Sequence, residues 1–514
     1  MRSRHVTGLA LIVALSAACS STVQPGGATA GLAPNGTGTT TGAAPGSTGD
    51  SGLSLPSAAA GSTGNAAGTG TTAAGGGATS TAGSSGSGTG TTSGSGTTGT
   101  TSSGGSGTVK AAAPGITAST IYLGFEISSS TAAADHAIGA AGAAPSYSFS
   151  DVMNAAINYA NKHGGFAGRQ MKGIYYDVNV ANPRQTEDQA ACAKFTQDNR
   201  VFAMQGQTDI LRACAEKAGA VSILSGNEVA STFKKFPHFV DPISIRLDRM
   251  GPVTVGGLAR AGYFTGKLGL VTWDDPNYRT AMTDGYLPAL AAKGIKPAAP
   301  VAYIGVPQQV GAITDMTAQV SSVVTKFRSL GIDHVIIQDG PDGVWAGGGI
   351  TLEFMNNAKS QGYYPRYGQN VYNLPGSTEL PSDQQNKALA ILDADEDPKN
   401  DAGWHMNAAR QHCFQIQAAA GMPVSSSNDN DEGLAAQACD VVFFLQQVIN
   451  QLPILSTNAL IDQVQKLGTT FKPAFVYGTR FFPGRLDGSD RVRQAEYFQS
   501  CQCLKFSGPP YQPD

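Results

Sequence analysis

Thr120-Ile121-Tyr122-Leu123-Gly124-Phe125 opens the alternation on which the fold of this chain turns. The run is rich in β-branched and aromatic residues and enters a serine-rich loop, Ser128 to Ser130. Behind Ser150, which reads as a helix N-cap, Val152, Ala155, Ala156, Ile157 and Tyr159 recur at helical spacing, and Gly164-Gly165 closes that helix. Ile174 to Val178 is a second strand and Thr186 to Gln197 a helix. Val201 to Met204 is a third strand leading into Gly206-Gln207-Thr208-Asp209, Ile210 to Ala218 a helix, and Val221 to Leu224 a fourth strand. Strands separated by helix-length segments cannot pair through tight hairpins. They require crossovers, and therefore a parallel sheet with helices on both faces.

A second series follows. Leu268 to Thr272 reads as a strand, then comes the loop Trp273 to Tyr278, and Pro300 to Val306 is another strand. Thr317 to Leu330 is a helix, His334 to Gln338 a buried strand, Leu352 to Gln361 a helix and Tyr367 to Tyr372 a short strand. Two successive α/β series predict two doubly wound parallel-sheet lobes. Open sheets of this class bind ligands beyond the carboxyl ends of their strands, and two lobes place those ends across a cleft.

The chain is 514 residues long, and it is not uniform. Residues 20–113 hold 26 of the 65 glycines, one acid (Asp50), one base (Lys110) and no aromatic ring, too little apolar surface to offset the entropy of ordering. They are expected to be a disordered Gly/Ser/Thr/Ala-rich tether, spanning roughly 50–60 Å as a flexible coil. Residues 114–514 carry the patterned sequence, with 31 basic and 36 acidic side chains. That balance offers no basic footprint for nucleic acid.

Residues 1–19 read as an export signal: Arg2 and Arg4, an apolar run from Gly8 to Leu15, then Ser16-Ala17-Ala18-Cys19. The run is too short to span a bilayer as a stable helix. The segment resembles bacterial lipoprotein signals, in which the cysteine is lipidated, although Ser16 stands where leucine is usual. This implies an extracytoplasmic chain held to the cell membrane through Cys19. Six cysteines remain, and an even number outside the cytosol suggests disulfides. Cys192 with Cys214 and Cys413 with Cys439 are plausible local pairs. Cys501 with Cys503 would close a very small ring, and one of these two reaching Cys413 or Cys439 is the alternative.

Longer motifs carry a family resemblance. Gly115-Ile116-Thr117 through Ile121-Tyr122-Leu123-Gly124 resembles the opening strand of the type 1 periplasmic solute-binding proteins, in particular the Leu/Ile/Val receptor branch serving ABC importers. Ala155-Ala156-Ile157-Asn158-Tyr159 with Gly164-Gly165-Phe166-Ala167-Gly168-Arg169 resembles their first helix and following turn. Cys192 and Cys214 flank the third strand, where many members carry a disulfide. Phe475 to Gly478 and Phe482 to Gly488 resemble their late turn before a terminal strand. The resemblance implies the type 1 periplasmic binding fold: two lobes joined by a three-crossing hinge, lobe 1 at about 114–243 and 390–452, lobe 2 at about 247–385 and 455–514. It implies capture of a small polar solute, such as an amino acid, and its delivery to an ABC permease, without a cofactor.

Carried onto this chain, the ligand-facing positions are Gln207, Thr208 and Asp209 after the third strand and Ser225, Gly226 and Asn227 after the fourth, where hydroxyls and backbone N–H groups would meet a carboxylate. A helix N-cap is the competing role for Thr208 and Asp209. The stretch Ser225-Gly226-Asn227-Glu228 departs from the Ser/Thr-rich family pattern, which argues against an α-amino acid. From the second lobe Tyr278 would cover the ligand, Asp274 or Asp275 could meet an ammonium, and Asp339 is the preferred acid. Tyr372 and Asn373 are further candidates, while Trp345 reads as a core ring and Ser128, Ser129 and Asp135 as the cleft rim. No catalytic or metal motif is present in residues 114–514: there is no HExxH, no Walker loop, no GxGxxG and no GxSxG. His405 and His412 lie about 10 Å apart along a helix, too far to share one metal ion. An enzyme is therefore not expected. A tethered solute sensor and a wall-associated scaffold are the alternative roles.

Overall fold

The computed structural model describes residues 109–129, 146–341, 348–394, 406–424 and 429–513. Cys19, Asp135, Trp345 and His405 lie outside these residues.

The first sheet has the order β2-β1-β3-β4-β5, all parallel, from β1 (Thr120–Ile127), β2 (Gln170–Asp177), β3 (Ala203–Gln205), β4 (Val221–Ile223) and β5 (Phe239–Val240). Helix α1 (Phe149–Lys162) buries Val152, Met153, Ala156 and Ile157. The N-cap of α1 is Ser148 rather than Ser150: Ser148 Oγ accepts from Asp151 N at 3.1 Å, because buried Phe149 already begins the helix. Helix α2 (Arg184–Ala193) runs into a wider turn at Lys194–Asp198, and α3 (Asp209–Ala218) ends on left-handed Gly219. The disulfide Cys192–Cys214 joins α2 to α3.

The second sheet has the order β12-β11-β10-β9-β8-β6-β7. Its parallel part is β6 (Leu268–Trp273), β7 (Ala302–Ile304), β8 (His334–Gln338), β9 (Arg366–Asn370) and β10 (Leu389–Leu392). An antiparallel hairpin of β11 (Val492–Phe498) and β12 (Cys503–Tyr511) completes one edge. Helices α4 (Leu247–Arg260), α5 (Ile313–Ser329) and α6 (Gly349–Ser360) pack on this lobe. Strands β6 and β8 are buried along their whole length, as a parallel sheet covered on both faces requires.

Helices α7 (Ala408–Ala419), α8 (Asp429–Ile449) and α9 (Thr457–Val464) return to the first lobe. Gln417 Nε2 donates to Val152 O and Gln446 Nε2 to Ala160 O, and His238 Nε2 lies 2.7 Å from Asn458 Oδ1. Apolar β10 pairs with β9 and β11 in the second sheet, and α9 buries Leu460, Ile461 and Val464. The disulfide Cys413–Cys439 ties α7 to α8. Cys501 bonds Cys503, the small ring, at the tip of the β11–β12 hairpin, where Gln502 has a φ of 50°.

Three crossings link the lobes. Asp241 pairs with Asp487 as an isolated bridge and Ala394 with Val476. Gly488 N donates to Asp241 O at 2.7 Å and Tyr477 N to Asp393 O at 3.0 Å. Arg249 Nε reaches Asp487 Oδ2 at 2.7 Å. The crossing strands therefore hydrogen-bond one another, and the hinge is a small sheet-like knot rather than three loose linkers.

Candidate functional site

The carboxyl ends of β1, β3 and β4 carry the first-lobe face of the cleft. Thr208 is the N-cap of α3: its Oγ1 accepts from Leu211 N at 3.3 Å and donates to Asp188 Oδ2 at 2.7 Å. Asp209 pairs with Arg212 at 2.9 Å and Lys235 at 2.6 Å. Burial pushes its carboxyl upward, but the bonds from these two cations outweigh that and hold it below its ordinary value. Ser225 Oγ accepts from Arg212 Nη1 at 2.8 Å and donates to Asn227 Oδ1 at 2.7 Å. The Ser225 and Gly226 N–H groups both donate to Asp241 Oδ2, and Gly226 N also to Glu228 Oε2. Ser129 donates through N and Oγ to Asp177. Thr208 and Ser225, and the Ser225 and Gly226 N–H groups, are thus committed to protein acceptors.

From the second lobe, Tyr278 is fully buried and its hydroxyl donates to Pro341 O at 3.2 Å. Asp274 pairs with Arg279 at 2.5 Å. Asp275 caps a short helical turn by accepting from Asn277 N. Burial raises its carboxyl, and the charge of Asp209 of the first lobe adds to the rise. Asp339 is fully buried. One oxygen accepts from Trp273 Nε1 at 3.1 Å and Gly340 N at 2.9 Å, and the other from Thr351 N and Oγ1, both at 2.9 Å. Burial lifts its carboxyl to about 6. Gln338 is held by Tyr286 and Asn370, and Asn373 Nδ2 by Ile337 O and Thr351 Oγ1. Tyr372 lies at the hinge, its hydroxyl raised by burial and by the charges of Glu228, Asp393 and Asp241. His412 stacks against Phe443 on the helical layer of lobe 1.

Among the described residues, two main-chain bonds join the lobes away from the hinge, Arg184 N to Gln308 O at 3.0 Å and Val310 N to Val180 O at 3.1 Å. Around the first of these stands a cluster that sequence reading did not single out. Glu126, the penultimate residue of β1, is fully buried and accepts from Arg184 Nη2 at 2.5 Å. Arg184 Nε lies 2.7 Å from Asp188 Oδ1, and Arg184 Nη2 lies 3.5 Å from Gln207 Oε1. Two signals for it were present: an acid inside an apolar strand, and an Arg-Asp pair at i,i+4 on a helix.

No protein-family model matches the chain, and no curated protein sequence does. Solved structures do. An ABC transporter substrate-binding protein from Desulfitobacterium hafniense in complex with Leu is 16% identical, covering 76% of this chain and 100% of its own, with a TM-score of 0.50. A possible leucine/isoleucine/valine-binding protein from Rhodopirellula baltica is 12% identical, covering 76% and 96%, with a TM-score of 0.54. A solute-binding protein of an ABC transporter from R. palustris in complex with 4-hydroxybenzoate is 13% identical, covering 77% and 97%, with a TM-score of 0.53. The chain has the fold of these substrate-binding proteins, the type 1 periplasmic binding fold of two doubly wound lobes joined by three crossings.

Proposed function

We propose that the chain is an extracytoplasmic solute-binding lipoprotein, anchored through Cys19, which captures a small polar solute between its lobes and delivers it to an ABC permease. The observation that carries this reading is the arrangement of the cleft. Carboxyl ends of parallel strands from both lobes meet there, joined by a hinge of three crossings and, among the described residues, by two main-chain bonds at the rim. Such a hinge lets a ligand trade its own contacts for those of the open state. Similar folds carry Leu in one protein and 4-hydroxybenzoate in another, so the architecture leaves the solute to the side chains. In this reading Gln207, Asp209 and Asp275 line the cleft, while Thr208, Ser225, Gly226, Asn227, Tyr278, Asp339 and Tyr372 shape its walls through their internal bonds. The test is a thermal-shift screen of the full chain over amino acids, amines, nucleosides and aromatic acids. A true ligand at about 100 times its Kd stabilises by roughly 2.7 kcal/mol. A melting temperature indifferent to every class of solute would remove the reading.

A further inference from the structure

The expected carboxylate-binding hydroxyls are turned inward, and among the unmet hydrogen-bonding groups near these strand ends is a carboxylate oxygen. Among the described residues Glu126 Oε1 has no hydrogen-bond partner, although the side chain is fully buried. Its other oxygen is held by Arg184, and the same guanidinium is shared with Asp188, itself 1% exposed. Glu187 adds a third carboxylate, bonded by Asn179 N, Asn182 Nδ2 and Tyr176 OH. One guanidinium therefore pairs with two acids while a third stands beside them, and a buried carboxylate with a bare oxygen is costly unless another donor or a proton reaches it.

We propose that Glu126, backed by Asp188, receives the cationic head group of the solute, a primary ammonium or an amidinium. This rests on the solute-capture reading and gives it a chemical class. The placement suits the role. Glu126 lies next to the last residue of its strand, and the backbone N–H of its partner Arg184 bonds Gln308 O of the second lobe. Parting the lobes frees the Arg184 backbone, and an incoming ammonium supplies the donor that Oε1 lacks. The groups around Glu126 are Arg184, Glu187 and Asp188 from α2, Tyr176 from β2, and the neutral Gln207 and Thr208 beyond β3. Burial chiefly raises the Glu126 carboxyl, Arg184 lowers it, and Asp188 and Glu187 raise it again, leaving it at about 7. In the free protein it carries a proton part of the time at neutral pH, and a bound ammonium displaces that proton.

The experiment uses the full chain and two matched sets of probes in calorimetry: isoamylamine, putrescine and benzamidine against isovalerate and 4-hydroxybenzoate. At least one amine or amidine is expected to bind at pH 7 with release of protons, read from the dependence of the heat on buffer ionisation. Glu126→Gln should weaken it by on the order of 10- to 100-fold and abolish the proton release. Asp188→Asn should weaken it less, and it provides a second variant if the first does not fold. Binding of the carboxylates alone, with an affinity that Glu126→Gln leaves unchanged, overturns the proposal while leaving solute capture intact. Binding of neither set, together with a flat thermal-shift screen, overturns both.

Discussion

Asp440 sits on α8 with its carboxylate turned onto the backbone of the last crossing, accepting from Ala474 N at 2.6 Å and Phe475 N at 2.9 Å. The group is 1% exposed, and burial lifts it to about 7. An amide in its place offers one oxygen to two buried N–H groups. Asp440→Asn is therefore expected to cost about 1–3 kcal/mol at pH 7, measured by urea unfolding. Unchanged stability would mean that the carboxylate does not hold the crossing. The same kind of contact explains what was legible about the cleft. That Thr208, Ser225, Asp275 and Asp339 follow strands, and so lie at carboxyl ends, is visible in the sequence pattern. Where their polar atoms point is not. Asp339 reaches Trp273, 66 residues away, and Thr351, 12 residues away, and no local spacing encodes those bonds.

At the scale of elements, each long-span disulfide fastens one helix to another: Cys192–Cys214 joins α2 to α3 and Cys413–Cys439 joins α7 to α8. The second spans 26 residues, so its removal in a Cys413→Ala, Cys439→Ala double variant should cost about 3 kcal/mol through the freedom returned to the unfolded chain. Cys501–Cys503 spans only 2, and its double variant should shift the denaturant midpoint far less. Equal shifts would contradict this loop-length argument. Strands and helices were the most legible feature, because β6 and β8 are nearly continuous apolar runs and α1 and α5 carry apolar residues at helical spacing. Their ends were less so: α5 starts at Ile313 rather than Thr317, since its first turn already buries Ile313 and Met316. The π-type turns at Lys194–Asp198 and Ala281–Tyr286 left no mark in the pattern, being continuous with α-helix on at least one side.

For the whole molecule, buried carboxylates set the response to pH. Glu126 and Asp440 lie at about 7, and Asp339 and Asp393 at about 6, each raised first by burial. In the unfolded chain such groups release protons near 4. Folding therefore takes up protons between about pH 4 and 7, and the stability these groups contribute is present at low pH and lost as pH rises through 6 to 7. Asp209, whose carboxyl is lowered, acts oppositely and only in more acidic solution. The melting temperature is expected to be higher at pH 5.5 than at pH 8, and Asp440→Asn should narrow the gap. A protein more stable at pH 8 would show that these acids are ionised in the fold. The two-lobed plan was legible from two α/β series. The hinge was not, because its crossings are short and irregular and are joined by bridges such as Asp241 with Asp487, far apart in sequence.

The segment leading into β1 is fastened before the strand begins. Ala111 pairs with Leu455, Ala112 N and Leu455 N exchange bonds with Leu455 O and Lys110 O at 2.9 Å, and Arg169 Nη2 grips Val109 O at 2.8 Å. Mechanically this is a cable clamp. A pull on the chain ahead of residue 109 loads a short ladder against the stretch before α9 and an arginine after α1, and the force leaves the globule there. The load is thus shared by these bonds before it reaches β1, the strand that positions Glu126.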